Sequence, residues 1–167
     1  SLFAQNIKNP VKVSALANEL RVAVGRLVRI LIDQEGGRVQ RMWGPHGRVW
    51  HPPLDAVAAT DDPSRMLYLR YRLIAHELRA VGINVHCGPT GDIAFEDTHP
   101  FLRNRLYGES VHGVTRRCWA VSNGLQEGGV APVLKHIPGH GRARVDSHHD
   151  LPRVTTDRLT LDQTDFH

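Results

Sequence analysis

Apolar residues recur along the chain at two spacings, and the two alternate. Within residues 11–27, Val13, Leu16, Ala17, Leu20, Val24 and Leu27 fall at helical intervals, and residues 28–32 follow as a short apolar run that reads as a buried strand. Residues 63–81 repeat the theme, with Pro63 early in a helix, Leu67, Ile74 and Leu78 on one face and Gly82 at its end. A strand over 83–86 comes next. A third helix, from about Ser110 to Gln126, stops at Gly128 and Gly129 and feeds a strand over 130–134. Ser1, Leu2 and Phe3 read as the tail of a still earlier strand.

Strand, helix, strand in regular succession predicts an α/β fold with parallel strands joined by right-handed helical crossovers. Neither an internal repeat nor a linker divides the chain, so residues 1–167 are expected to be one folding unit or part of one. The segment 41–62 reads as a long loop rich in Gly, Pro and Trp, and loops of that length inside a domain are usually functional.

Composition changes this picture little. With 41% hydrophobic and 23% charged residues the chain reads as ordinary globular protein. No apolar run reaches the roughly 20 residues that cross a bilayer, and no secretory signal is visible at the N-terminus, so no membrane partner is expected. The net charge of +4 is dispersed, with bases beside acids as in Asp61-Asp62-Pro63-Ser64-Arg65, which argues against nucleic acid. Cys87 and Cys118 lack metal-ligand spacing and fit reduced thiols.

The polar residues that follow the strands carry the chemistry. Asp33 follows the first strand, Asp92 lies shortly after Val85, and Lys135 and His136 follow Leu134. All three sets therefore sit at carboxyl ends of parallel strands, the rim where α/β sheets and barrels bind ligands. In Asp33-Gln34-Glu35-Gly36-Gly37-Arg38-Val39-Gln40-Arg41 the paired glycines permit a tight turn, so that Asp33 and Arg41 can face one pocket. A carboxylate accepts two hydroxyls at once and Arg offers a fork of donors, although a surface turn closed by an Asp–Arg ion pair reads the same way.

In Lys135-His136-Ile137-Pro138-Gly139-His140-Gly141 the Pro and glycines exclude a helix. The histidines are therefore not stacked as in a helical metalloprotease motif, and a metal site from His136, His140 and His148 has no supporting ligand pattern; neither metal nor cofactor is expected. Asp146 and His148 read better as an acid/base pair, the carboxylate orienting an imidazole that gives and takes protons near neutrality. A loop-capping role for His148 is the plainer alternative.

These motifs, with Asn104-Arg105-Leu106-Tyr107-Gly108 between them, resemble the bacterial β-N-acetylglucosaminidases, or β-hexosaminidases, of glycoside hydrolase family 3, and the resemblance covers nearly the whole chain. It implies a (β/α)8 TIM barrel, of which these residues are roughly the first half, so that 1–167 is an incomplete family 3 N-terminal barrel domain. It implies that Asp33, Arg41, Arg105, Lys135 and His136 bind sugar and that His148, with Asp146, is the general acid/base. The implied activity is retaining cleavage of terminal β-linked N-acetylglucosamine from cell-wall-derived saccharides, in the cytoplasm, as in peptidoglycan recycling. Two departures stand out: Cys87 to Asp92 replaces a more apolar strand end, and Ile137 stands where the family usually has Phe. Trp43 and Trp50 have no fixed place in the pattern and are expected to pack under the 41–62 loop rather than to stack on sugar.

A retaining glycosidase needs a nucleophile besides its acid/base. In relatives that nucleophile is an Asp on a later strand, so this chain alone is expected to be inactive. Half a barrel also exposes sheet edges, which invites self-association. A histidine acid/base leaves the site less negative than a second carboxylate does, and both water and phosphate fit as acceptor. The competing readings are a non-catalytic sugar-binding or assembly module and a metal-dependent hydrolase.

Overall fold

Residues 1–7, 9–45, 47–146 and 149–166 are described by the computed structural model. Helix α1 (Pro10–Val24) begins where Asn9 accepts the Lys12 amide at 2.9 Å and Pro10 opens the first turn. It ends at Gly25 in a left-handed cap, earlier than the periodicity suggests, and Leu27 beyond it is exposed. Val13 and Ala17 are its buried face. Helix α3 (Pro63–Ala80) is capped by Asp62 on the Arg65 amide and buries Leu67, Arg70, Tyr71, Ile74, Ala75 and Leu78, a stripe at helical spacing. Helix α5 (Val111–Glu127) packs against α3 and buries Val114, Val121, Gly124 and Leu125.

Strands β1 (Leu31–Ile32), β4 (Val85–His86) and β5 (Ala131–Pro132) form a parallel sheet in that order, and Leu2 bridges Ile32 in parallel at the far side. Successive strands are therefore neighbours and helices α1, α3 and α5 lie between them in sequence, as the alternating pattern predicts. The strands are shorter than the apolar runs. At the lower end of β1 the Asn84 side chain takes the place of backbone, accepting the Ile30 amide at 2.8 Å and donating to the Val28 carbonyl at 3.3 Å. Ile32, Leu67, Tyr71, Ile74, Leu78, Ile83 and Leu125 sit at the centre of the core, none of them detectably exposed.

Segment 41–62 is not structureless, in contrast to the sequence expectation. Helix α2 (Pro53–Ala58) lies within it, started by consecutive prolines, and two buried amides organise the rest. Gln34 accepts the Arg41 and Met42 amides at 2.9 and 3.0 Å, while Gln40 donates to the Met42 and Arg48 carbonyls and accepts the Trp50 amide at 3.1 Å. Trp50 packs against the core, as expected, while Trp43 is 44% exposed and donates its indole N–H to the Gln40 carbonyl. Cys87 and Cys118 are free thiols, and among the described residues no helix is long and apolar enough to cross a membrane.

Candidate active site

Three pieces of backbone bring the predicted residues together. Strands β2 (Gln34–Gly36) and β3 (Val39–Gln40) form an antiparallel hairpin directly after β1. Its turn requires glycine: Gly36 has φ of 107°, and a Cβ there would lie 2.1 Å from Arg70 Nη2 and 2.5 Å from the His51 carbonyl. Beyond β4 and β5 the chains stay paired through a bridge between Thr90 and Lys135, with the Gly91 amide donating to the Lys135 carbonyl at 2.6 Å. The segment after the short helix α4 (Pro100–Arg103) is tied to that bridge by the Thr90 hydroxyl, which donates to the Arg105 carbonyl at 2.8 Å.

The result is a cavity of about 700 Å3 at the carboxyl ends of the strands, lined by Asp33, Arg38, Val39, Arg41, Phe101, Arg105, Lys135, His136, His140, Asp146 and His149. Asp33, Arg41, Arg105, Lys135, His136 and Asp146 all face this one space. His148 lies outside the described residues.

Its charges form a chain. Lys135 Nζ stands 2.8 Å from Asp33 Oδ1 and 2.6 Å from Glu35 Oε1. Arg105 grips the Glu35 carboxylate with Nε and Nη2, both at 2.9 Å. Arg41 Nη2 is 3.8 Å from Asp33 Oδ2, so Asp33 and Arg41 face one cavity as expected, and the ion pair weighed as the alternative is present too but looser than the Asp33–Lys135 bond. Burial alone would raise the Glu35 pKa. The Arg105 hydrogen bonds and the Lys135 charge outweigh it and hold the carboxyl below its ordinary 4.5.

A second unit lies beside the first. Asp92, with its side chain 0% exposed, accepts from His136 Nδ1 at 2.6 Å and from the His140 amide at 2.7 Å. That bond places the His136 proton on Nδ1 and leaves Nε2 as the nitrogen available to a ligand. The His140 ring sits edge-on to His136, centroids 5.5 Å apart, and its pKa is lowered by burial and by the neighbouring His136. Gly141 lets this loop close onto the Ile93 carbonyl, which a Cβ would meet at 1.9 Å.

Sequence reading passed over several residues. Glu35 was within reach, because alternate positions in an extended segment point to one side and Glu35 is two residues from Asp33. Arg38, stacked 4.1 Å over the Phe101 ring, carries no signal beyond its motif, and Phe101 and His149 carry none. Among the described residues no group of three His, Cys, Asp or Glu side chains is placed to hold a metal ion, and the trio weighed from sequence includes the undescribed His148.

Comparison with known proteins gives a consistent match. The family profile described as Glycosyl hydrolase family 3 N terminal domain matches residues 1–167. Beta-hexosaminidase A of Pseudoalteromonas piscicida is 34% identical over 172 residues, covering 99% of this chain and 29% of that protein. A beta-hexosaminidase of Xylella fastidiosa is 31% identical over 170 residues, covering 99% of this chain and 50% of the relative. The chain therefore spans half or less of these relatives' lengths. Among solved structures, a glycoside hydrolase family 3 beta-N-acetylglucosaminidase from Paenibacillus sp. str. FPU-7 superposes with a TM-score of 0.88 at 35% identity, over 99% of this chain and 32% of that one. NagZ from Neisseria gonorrhoeae, in complex with N-trifluoroacetyl-D-glucosamine, also superposes with a TM-score of 0.88, at 28% identity over 99% of this chain and 50% of that one.

Proposed function

The chain belongs to glycosyl hydrolase family 3, as its N-terminal, TIM-barrel-like domain, and from that premise we propose that it supplies the sugar-binding side and the acid/base of a retaining β-N-acetylglucosaminidase. The observation that carries the reading is the convergence of Asp33, Arg41, Arg105, Lys135 and His136 on one cavity at the strand ends. Acceptors and donors alternate there, as paired sugar hydroxyls require. The Neisseria gonorrhoeae relative binds a glucosamine derivative, which supports terminal N-acetylglucosamine as the unit recognised.

In this mechanism Asp33 accepts hydrogen bonds from sugar hydroxyls while Lys135 and Arg41 donate to hydroxyl oxygens, and His136 adds a ring nitrogen whose protonation Asp92 sets. Asp146 lies in the cavity wall two residues before His148, and we assign His148 as the group that protonates the leaving oxygen and then activates the acceptor, with Asp146 stabilising its cation. The substrates are cell-wall-derived saccharides ending in β-linked N-acetylglucosamine, handled in the cytoplasm.

A retaining reaction also needs a carboxylate nucleophile. Among the described cavity residues the carboxylates are already engaged or assigned: Asp33 pairs with Lys135, and in this reading Asp146 is the partner of His148. The chain alone therefore binds the sugar without turning it over. Incubation of the purified 167-residue chain with a chromogenic β-N-acetylglucosaminide tests this directly. No product above the His148→Ala background is expected, and robust His148-dependent turnover refutes the assignment of the carboxylates.

A further inference from the structure

Glu35 does not line the cavity, yet two residues that do are anchored on it. Its side chain is 2% exposed and its carboxylate holds Arg105 through two bonds and Lys135 through one. Each partner comes from a different part of the chain, Glu35 from the hairpin, Arg105 from the segment after α4 and Lys135 from the bridge beyond β5. The backbone that carries Glu35 is itself fixed, since the Glu35 carbonyl accepts from the buried Arg70 at 2.5 Å and the close packing of Gly36 leaves no room for the hairpin to shift.

Lys135 and Arg105 carry long, flexible side chains with like charges. Bound to one carboxylate they stand side by side at fixed positions; without it they repel and swing toward solvent. Asp33 holds Lys135 from the other side, so its ammonium is clamped between a carboxylate in the cavity and one behind it. Arg105 has no second carboxylate among its described ion pairs. We propose that Glu35 is a positioning residue of the sugar site, touching no ligand and fixing Lys135 Nζ and the Arg105 guanidinium at the spacing that sugar hydroxyls read. The ligand in this statement rests on the sugar-binding reading above; the positioning does not.

The chain contains Lys8, Lys12 and Lys135 as its three lysines, so 13Cε-lysine labelling gives three assignable signals. In the wild-type chain without sugar, the two Lys135 Hε protons should be inequivalent and rigid, and in Glu35→Gln they should merge into one averaged, mobile line. Affinity for N-acetylglucosamine, read by calorimetry, should fall about tenfold to a hundredfold in Glu35→Gln, the range for losing a charged hydrogen bond. The Lys135→Met, Glu35→Gln double variant should lose less than the product of the two single losses, because both act on one side chain. A purely structural Glu35 would leave the Lys135 signal unchanged and make the two losses multiply, and either result overturns the proposal. If the wild-type chain fails to bind N-acetylglucosamine, the sugar reading falls, and the lysine signal recorded without sugar still decides the part played by Glu35. Should Glu35→Gln not fold, Glu35→Asp keeps the charge but shortens the reach, and the same loss of Lys135 inequivalence is expected; a Lys135 as rigid as in wild type overturns the idea.

Discussion

Asp92→Asn replaces one carboxylate oxygen by an amide nitrogen with almost no change in shape. The two oxygens of Asp92 serve different partners, His136 Nδ1 at 2.6 Å and the His140 amide at 2.7 Å. A backbone amide can only donate, so the Asn oxygen must turn to His140 and the Asn NH2 must face His136. His136 then accepts at Nδ1 and carries its proton on Nε2, the reverse of the tautomer that Asp92 selects. Two charge-assisted bonds become neutral ones at about 1 kcal/mol each, so stability should fall by about 2 kcal/mol. The nitrogen left for the ligand changes from acceptor to donor, and N-acetylglucosamine affinity should fall about tenfold, equivalent to about 1.4 kcal/mol. Imidazole 15N shifts read the tautomer and calorimetry reads the affinity. A variant in which His136 keeps its proton on Nδ1, or in which the tautomer flips while affinity holds, refutes this account of the pair.

Three further outcomes follow from the packing. Gly36→Ala should lower Tm by roughly 5–10 °C in calorimetry, since φ of 107° is strained for Ala and its Cβ would press on both Arg70 and the His51 carbonyl; an unchanged Tm contradicts the turn geometry. His86 is fully buried, and burial keeps its pKa below the ordinary 6.5, so its contribution to stability is present above pH 6.5 and is lost as pH falls, when the unfolded chain takes up a proton that the folded one refuses. Urea unfolding should show His86→Met with a shallower loss of stability than wild type from pH 6.5 downward, and identical slopes count against it. Val133 and Leu134, directly after β5, the strand at one side of the sheet, and Ile137 in the loop beyond are 41%, 53% and 84% exposed, so light scattering should find the chain self-associated and Leu134→Lys less so.

The alternation of helix and strand was legible because α3 and α5 bury regular stripes against a sheet, and such stripes impose a period on the sequence. Strand lengths were less so, since periodicity cannot tell a hydrogen-bonded residue from Asn84 standing in for backbone with its side chain. Helix α2 stayed hidden among Pro, Gly and Trp because Gln34 and Gln40, rather than apolar spacing, organise that segment. At the site, Asp33, Lys135 and His136 were visible as polar residues ending apolar runs. Arg105 follows no strand and came only through family resemblance. Asp92 was visible after its strand and Glu35 was within reach two residues from Asp33, but their partners, His136 for the one and Lys135 and Arg105 for the other, are distant in sequence and no one-dimensional pattern marks those pairings.

Whether this cavity holds the terminal sugar is decided by the structure of the chain with N-acetylglucosamine bound. The ring is expected in the cavity with hydroxyls against Asp33, Lys135 and His136 Nε2, and with the anomeric carbon turned toward Asp146. A sugar seated elsewhere, or one that leaves the Asp33–Lys135 pair untouched, contradicts it.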